Sequence, residues 1–105
     1  MKISFFFKNF SQTEKGIFES YFSEKLEQIN KFLGNYNAAE THLRIKAERF
    51  ATKSAYNVSL ELKLPKNILL VSEDDHTINE AIDLAKDKLL AQLKKIKNNF
   101  YGKEK

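Results

Sequence analysis

Cysteine is absent from the 105-residue chain. That excludes structural disulfides, thiolate zinc sites, iron–sulfur clusters and thiol nucleophiles. Glycine is nearly as scarce. Gly16, Gly34 and Gly102 are each isolated, so no glycine-rich loop is available to cradle a phosphate. The only histidines, His42 and His76, stand far apart in the chain without metal-ligand spacing, and no Ser/His/Asp pattern rises above chance. No apolar run approaches the ~20 residues that a membrane-spanning helix requires. The apolar stretch from Ile3 to Phe7 is broken by Ser4 and stopped by Lys8-Asn9, too short for a signal-peptide core. These absences lead us to expect a cytoplasmic protein that is not an enzyme and has no membrane partner. Glu73-Asp74-Asp75-His76 contains metal-ligating residue types. It reads as a solvated turn ahead of a helix N-terminus, where the helix dipole favours negative charge. No metal and no cofactor are expected.

What remains is an ordinary globular composition, with 42% hydrophobic and 30% charged residues. A chain of this length and mixture suits one domain with its own core. We expect that domain over residues 1–101, followed by a disordered tail at 102–105.

The hydrophobic period changes several times along the chain. Residues 2–8 alternate, with Ile3, Phe5 and Phe7 on one face and Lys2, Ser4, Phe6 and Lys8 on the other. Period two with aromatics predicts a strand. From Thr13 to Leu33 the apolar residues Ile17, Phe18, Tyr21, Phe22, Leu26, Ile29, Phe32 and Leu33 recur at spacings of three and four. That predicts an amphipathic helix, with Gly34-Asn35 as its stop. Alternation returns at residues 41–49 and most clearly at 56–64, with a turn from Phe50 to Ser54 between them. Pro65-Lys66-Asn67 then predicts a hairpin turn into a short strand, Ile68 to Val71. A long helix follows Thr77, which forms a capping box with Glu80; its stripe is Ile78, Ala81, Ile82, Ala85, Leu89, Leu93, Ile96 and Phe100. The expected fold is α+β, in the order β-α-β-β-β-α, one four-stranded sheet with both helices on its apolar face.

The formal net charge is +4, but it is unevenly spread. Residues 84–105 hold seven lysines against Asp87 and Glu104, a net +5, which leaves the rest of the chain at −1. On the second helix Lys88, Gln92, Lys95 and Asn99 fall on one flank, with Lys86, Lys94 and Lys97 on the opposite one. Ammonium and amide donors at one-turn spacing suit a nucleic-acid backbone, although many surface helices carry a solvated lysine face. Lys25 lies within the apolar stripe of the first helix, so it must reach water along its stem or meet an acidic partner. Arg44 and Lys46 line the polar face of the second strand, near Arg49 and Lys53. Phe6, Tyr36 and Tyr101 are aromatic side chains able to stack on bases or simply to pack.

The run from Thr77 to Lys97, TINEAIDLAKDKLLAQLKKIK, resembles the last helix of the ribosome hibernation-promoting factors, also called ribosome-associated inhibitors. Ala81, Ile82, Asp83, Asp87, Lys88, Leu89, Gln92, Leu93, Lys95 and Lys97 match that pattern. Glu24-Lys25-Leu26-Glu27 leading to Lys31-Phe32-Leu33, and the Leu64-Pro65 pair, are similar to the family as well. The chain departs from the pattern at Thr77, Asn79 and Ala91, where the family has Asp, Tyr and Arg, and at Lys66-Asn67 in place of Gly-Gly.

The resemblance implies binding to the small ribosomal subunit and its ribosomal RNA, over the decoding region, where messenger and transfer RNA are excluded. It makes Lys25, Lys88, Gln92, Lys95 and Lys97 the leading RNA-contact candidates, with Arg44 and Lys46 second. Longer members carry a C-terminal domain that pairs ribosomes. With none present before Lys105, a monomer that does not pair ribosomes by itself is expected, and no DNA partner. Two other readings stay open: a general double-stranded RNA-binding module, and a protein-interaction module whose lysines only solubilise it.

Overall fold

The computed structural model describes residues 1–34 and 40–103, with side chains to residue 96. Strand β1 spans Lys2–Lys8, helix α1 Gln12–Phe32, β2 His42–Arg49, β3 Tyr56–Lys63, β4 Ile68–Asp75 and helix α2 Ile78–Lys103. The four strands form one sheet in the order β1-β2-β3-β4. β1 runs parallel to β2, while β2, β3 and β4 are successively antiparallel. A parallel pair needs a crossover rather than a hairpin, and α1 supplies it.

Alternation in the strands sorts their side chains between two faces. Leu43 and Ile45 of β2, Val58, Leu60 and Leu62 of β3, and Leu69 and Val71 of β4 are buried under the helices. α1 adds Phe18, Phe22 and Ile29, and α2 adds Ala81, Ile82, Ala85, Leu89 and Leu93. Over β1 the join is aromatic: Phe18 meets Phe5 and Phe7 edge-on at 6.2 and 5.5 Å, and Phe22 meets Phe5 at 6.1 Å. Edge-to-face rings are the favourable arrangement for aromatic pairs at this distance.

Local chemistry explains where the elements begin. Asn9 has a φ of 61° and its side-chain amide donates to the Arg49 carbonyl at 3.2 Å. Asparagine tolerates this left-handed conformation better than most residues, and here it turns the chain out of β1 toward α1. Ser11 then caps α1: the Glu14 N–H donates to its hydroxyl at 3.1 Å, and the Ser11 N–H donates to the Glu14 carboxylate at 2.9 Å. This complete capping box starts the helix one residue before the Thr13 expected from periodicity.

Four expectations need correction. β4 runs to Asp75 rather than stopping at Val71, because β3 offers it a ladder as far as Tyr56, so the acidic run is strand and not a solvated turn. The box at α2 is half formed: the Glu80 N–H donates to the Thr77 hydroxyl at 3.1 Å, while the Glu80 side chain bonds Asp75. α1 ends at Leu33 in a right-handed conformation, and Gly34 has no positive φ, so it is not a left-handed glycine stop. Ile17, placed on the apolar stripe, is 47% exposed at the rim of the helix. α2 is helical to Lys103; the side chains of Lys97, Asn99, Phe100 and Tyr101, residues 104–105 of the expected tail, and Tyr36 lie outside the described residues.

Candidate nucleic-acid interface

The leading basic candidates fall on three surfaces, while Arg49 pairs with Glu14 at the start of α1 and Lys53 lies over the Phe50 ring in the loop after β2. The first is the flank of α2 that runs beside β4. β4 is an edge strand, so its outward carbonyls have no ladder partner. The Gln92 amide donates to one of them, the Leu70 carbonyl, at 3.3 Å. One turn earlier Lys88 pairs with Glu73 of the same strand. Its side chain is still 64% exposed. Glu73 is only 17% exposed and its Oε1 is buried, so the pair is exposed on the lysine side alone and the ammonium keeps donors free for a phosphate. Lys95 is exposed and, among the described residues, has no ion-pair partner. Lys97 continues the helix, but its side chain is outside the described residues. The flank is thus anchored at Gln92, tethered at Lys88 and open at Lys95.

The second surface is the seam between the helices. At ~100° per residue, Asp83 and Gln92 stand ~180° apart on α2. Asp83 therefore faces α1. Its carboxylate takes the Tyr21 hydroxyl at 2.8 Å and pairs with Lys25 at 3.6 Å. The Lys25 ammonium also lies 4.9 Å from the centre of the Tyr21 ring. The Tyr21 hydroxyl, and then the Asp83 charge, raise the Lys25 pKa above its ordinary value against the cost of burial. Lys25 has met an acidic partner, and the structure does not bring it onto the Lys88–Lys95 flank. Lys86 is buried in the same seam, donating to Gln28 at 3.1 Å and pairing with Asp87 at 3.0 Å. It is a structural cation, not part of an exposed basic flank as expected.

The third surface is the face of the sheet turned away from the helices. Arg44 pairs with Glu61 at 3.6 Å and holds its guanidinium 5.5 Å from the centre of the Phe6 ring. Lys46 is its neighbour along β2, level with Phe6 on β1 and Ser59 on β3. Phe6 is 46% exposed there. Sequence reasoning named Phe6 only as an aromatic able to stack or pack. Its place on the polar side of an otherwise clean alternation was visible in the sequence, whereas its contact with Arg44 was not. Tyr21 and Asp83 were also missed as partners of Lys25, since only tertiary packing joins them.

Strand geometry disperses the acidic run. Glu73 goes to Lys88, Asp74 accepts from Asn57 at 2.7 Å on the open face, and Asp75 accepts from the His76 N–H at 2.6 Å. That N–H, then the Glu80 hydrogen bond, lower the Asp75 pKa, and the same hydrogen bond raises that of Glu80. Among the described residues no group of three or more His, Cys, Asp or Glu is placed to hold a metal ion. No helix among them is long and apolar enough to cross a membrane.

Comparison with known proteins follows the same architecture. The structure is similar to the N-terminal domain of Protein Y from Thermus thermophilus, with a TM-score of 0.69 and 21% identity over 91% of this chain and 99% of that one. It is also similar to a ribosomal subunit interface protein from Coxiella burnetii, with a TM-score of 0.62 and 20% identity over 92% of this chain and 98% of that one. At these identities the likeness establishes the fold. No curated protein matches the sequence. The model of one family, described as sigma 54 modulation protein / S30EA ribosomal protein, matches residues 3–100. With nearly the whole chain matched and the fold shared, the protein belongs to the sigma 54 modulation protein / S30EA ribosomal protein family.

Proposed function

We propose that the chain is a ribosome-binding translation inhibitor, a hibernation factor that occupies the decoding region of the small subunit. The observation that carries this reading is the family match over residues 3–100. The resemblance of α2 to the hibernation-promoting factors and the names of the two structural relatives, Protein Y and ribosomal subunit interface protein, support it. The surface chemistry agrees. Positive charge gathers at the end of α2, where Lys95 is open and Lys88, paired with the half-buried Glu73, still exposes most of its side chain. Ribosomal RNA phosphates supply the competing anions. The mechanism is steric: a folded domain seats on ribosomal RNA through its lysines, and its bulk excludes messenger and transfer RNA. No step of it requires a cofactor or a catalytic group. The site is cytoplasmic and the protein is a monomer off the ribosome.

Co-sedimentation with purified small subunits across a salt series tests the reading. Saturable binding that weakens steeply with salt is expected. Lys95→Glu together with Lys88→Glu reduces the slope of log affinity against log salt by about 2, one for each phosphate that no longer meets a cation. Lys95→Glu alone provides the cleaner case, since Lys88→Glu also places a carboxylate against Glu73. A folded wild-type protein that stays in the supernatant while the small subunits pellet would sink the proposal. Displacement by short duplex RNA as readily as by small subunits would point instead to a general double-stranded RNA-binding module.

A further inference from the structure

The face of the sheet opposite the helices is uncovered, and its chemistry is uneven. Its residues form a grid whose rows cross the strands. One row runs Ser4, Arg44, Glu61, Leu70 and the next Phe6, Lys46, Ser59, Ser72. A solvated sheet face calls for polar side chains, yet Phe6, Ile68 and Leu70 are exposed on this one, at 46%, 59% and 65%. Single exposed apolar residues are ordinary. Phe6 differs from Ile68 and Leu70 in its setting. The Arg44 guanidinium sits near its ring, and Lys46 stands beside it without an ion pair among the described residues.

Two shallow depressions flank Lys46. One, of about 270 Å³, is bounded by Phe6, Lys46, Asn57 and Ser59. The other, of about 330 Å³, is bounded by Arg44, Lys46, Ser59, Leu70 and Ser72. Both combine an apolar wall, cations and neutral donors and acceptors, and each also carries one carboxylate, Glu48 in the first and Glu61 in the second. Charge on the face favours an anion. Glu48 and Glu61 are paired internally with Lys8 and Arg44, and Asp74 is held by Asn57. Lys2, Lys46 and Lys63 have no such partner among the described residues and share the face with them.

We infer that this open face is a second RNA-binding surface, which takes unpaired nucleobases against Phe6 and the backbone phosphates of the same strand on Lys46, Lys2 and Lys63. The inference rests on the RNA-binding reading above and adds to it a different surface and a different RNA form. A ring on an open four-stranded sheet offers a π-face to any splayed base, whereas a duplex keeps its bases stacked inside. Cations flanking the ring then hold the strand without reading its sequence. The lysines of α2 contact phosphates from elsewhere on the fold, so the two surfaces engage RNA simultaneously.

The chain contains no tryptophan, so Phe6→Trp installs a single emission reporter at the site. The probe is a short single-stranded oligouridylate, with a blunt RNA duplex of equal length as control. Saturable quenching by the single strand and not by the duplex is expected. Phe6→Leu keeps an apolar side chain but removes the ring, and should weaken oligouridylate binding about 5- to 100-fold, while Phe6→Tyr restores it. Lys46→Ala, at an exposed position, should lower the salt slope by about 1 with the fold intact by circular dichroism. Unquenched emission together with wild-type affinity in Phe6→Leu would overturn the inference. If those proteins still co-sediment with small subunits, the ribosomal reading survives its loss. Oligouridylate binding through Phe6 with no subunit binding would mean the opposite. An emission shift that grows with protein concentration and needs no RNA would make a second copy of the chain the occupant and also overturn it.

Discussion

One sheet presents two faces made by the same alternation, and they obey different rules. Under the helices, Leu43, Ile45, Val58, Leu60 and Leu62 are closed off from solvent together with Phe18, Phe22 and Leu89. What counts there is volume, because interiors are close-packed and respond to single methylenes. On the other face Arg44, Lys46, Ser59 and Ser72 lie at or near solvent, and the bonds from Arg44 to Glu61 and between the two serines are ones that water can replace. What counts there is chemical type. Phe6 shows the difference most directly. It is flanked in β1 by Phe5 and Phe7, and those neighbours pack on α1 while Phe6 stands in the open.

Substitutions on the two faces should separate accordingly. The largest effect belongs to Phe18→Ala, which removes a ring enclosed by Phe5, Phe7, Phe10 and Phe22 and should cost about 3–5 kcal/mol in urea denaturation. A loss near zero would mean that the aromatic join between β1 and α1 is not close-packed. Tyr21→Phe keeps the ring but removes the hydroxyl from Asp83, and a loss of about 1–2 kcal/mol is expected by the same method.

Glu14→Gln leaves an oxygen for the Ser11 N–H but removes the charge that Ser11, Tyr56 and Arg49 meet, and should cost about 1 kcal/mol near neutral pH. Its effect depends on pH in a definite direction. The Ser11 N–H, then the Tyr56 hydroxyl, hold the Glu14 carboxyl below its ordinary pKa, with Arg49 assisting. A depressed folded-state pKa adds stability above the unfolded value, and that stability is lost as pH falls through the folded one. The gap between wild type and Glu14→Gln should therefore close on acidification below the usual carboxylate range. Thermal melts at a series of pH values check this, and a constant gap would assign the cost to lost packing. The smallest stability effect is expected at Phe6→Ser, within about 0.5 kcal/mol, because the ring leaves an exposed position. A much larger loss would show that the open face, too, is held by packing.

The fold was largely readable from the pattern of residues, and the failures have local causes. Periodicity located all six elements because each covered face repeats its apolar residues at the period of its element. It lost the second half of β4, where Ser72 to Asp75 are polar on both faces and strand pairing alone continues the element. It missed Ser11 as a cap although Ser11-Gln12-Thr13-Glu14 carries the capping-box spacing, since the search began from apolar residues. The candidate interface was less legible. A lysine looks the same in the chain whether exposed like Lys95, paired like Lys88 and Lys25, or buried like Lys86.

By itself the sequence determined the element types and which side of each strand meets the core. It did so because alternation and the helical repeat are properties of neighbours along the chain. The order β1-β2-β3-β4, the parallel pairing of β1 with β2, and the partners of the cations were decided only by tertiary structure. Strand order depends on how α1 crosses over the sheet. The fate of each lysine depends on which acid, from Glu73 to Asp83, the packing brings within a few ångströms of its ammonium.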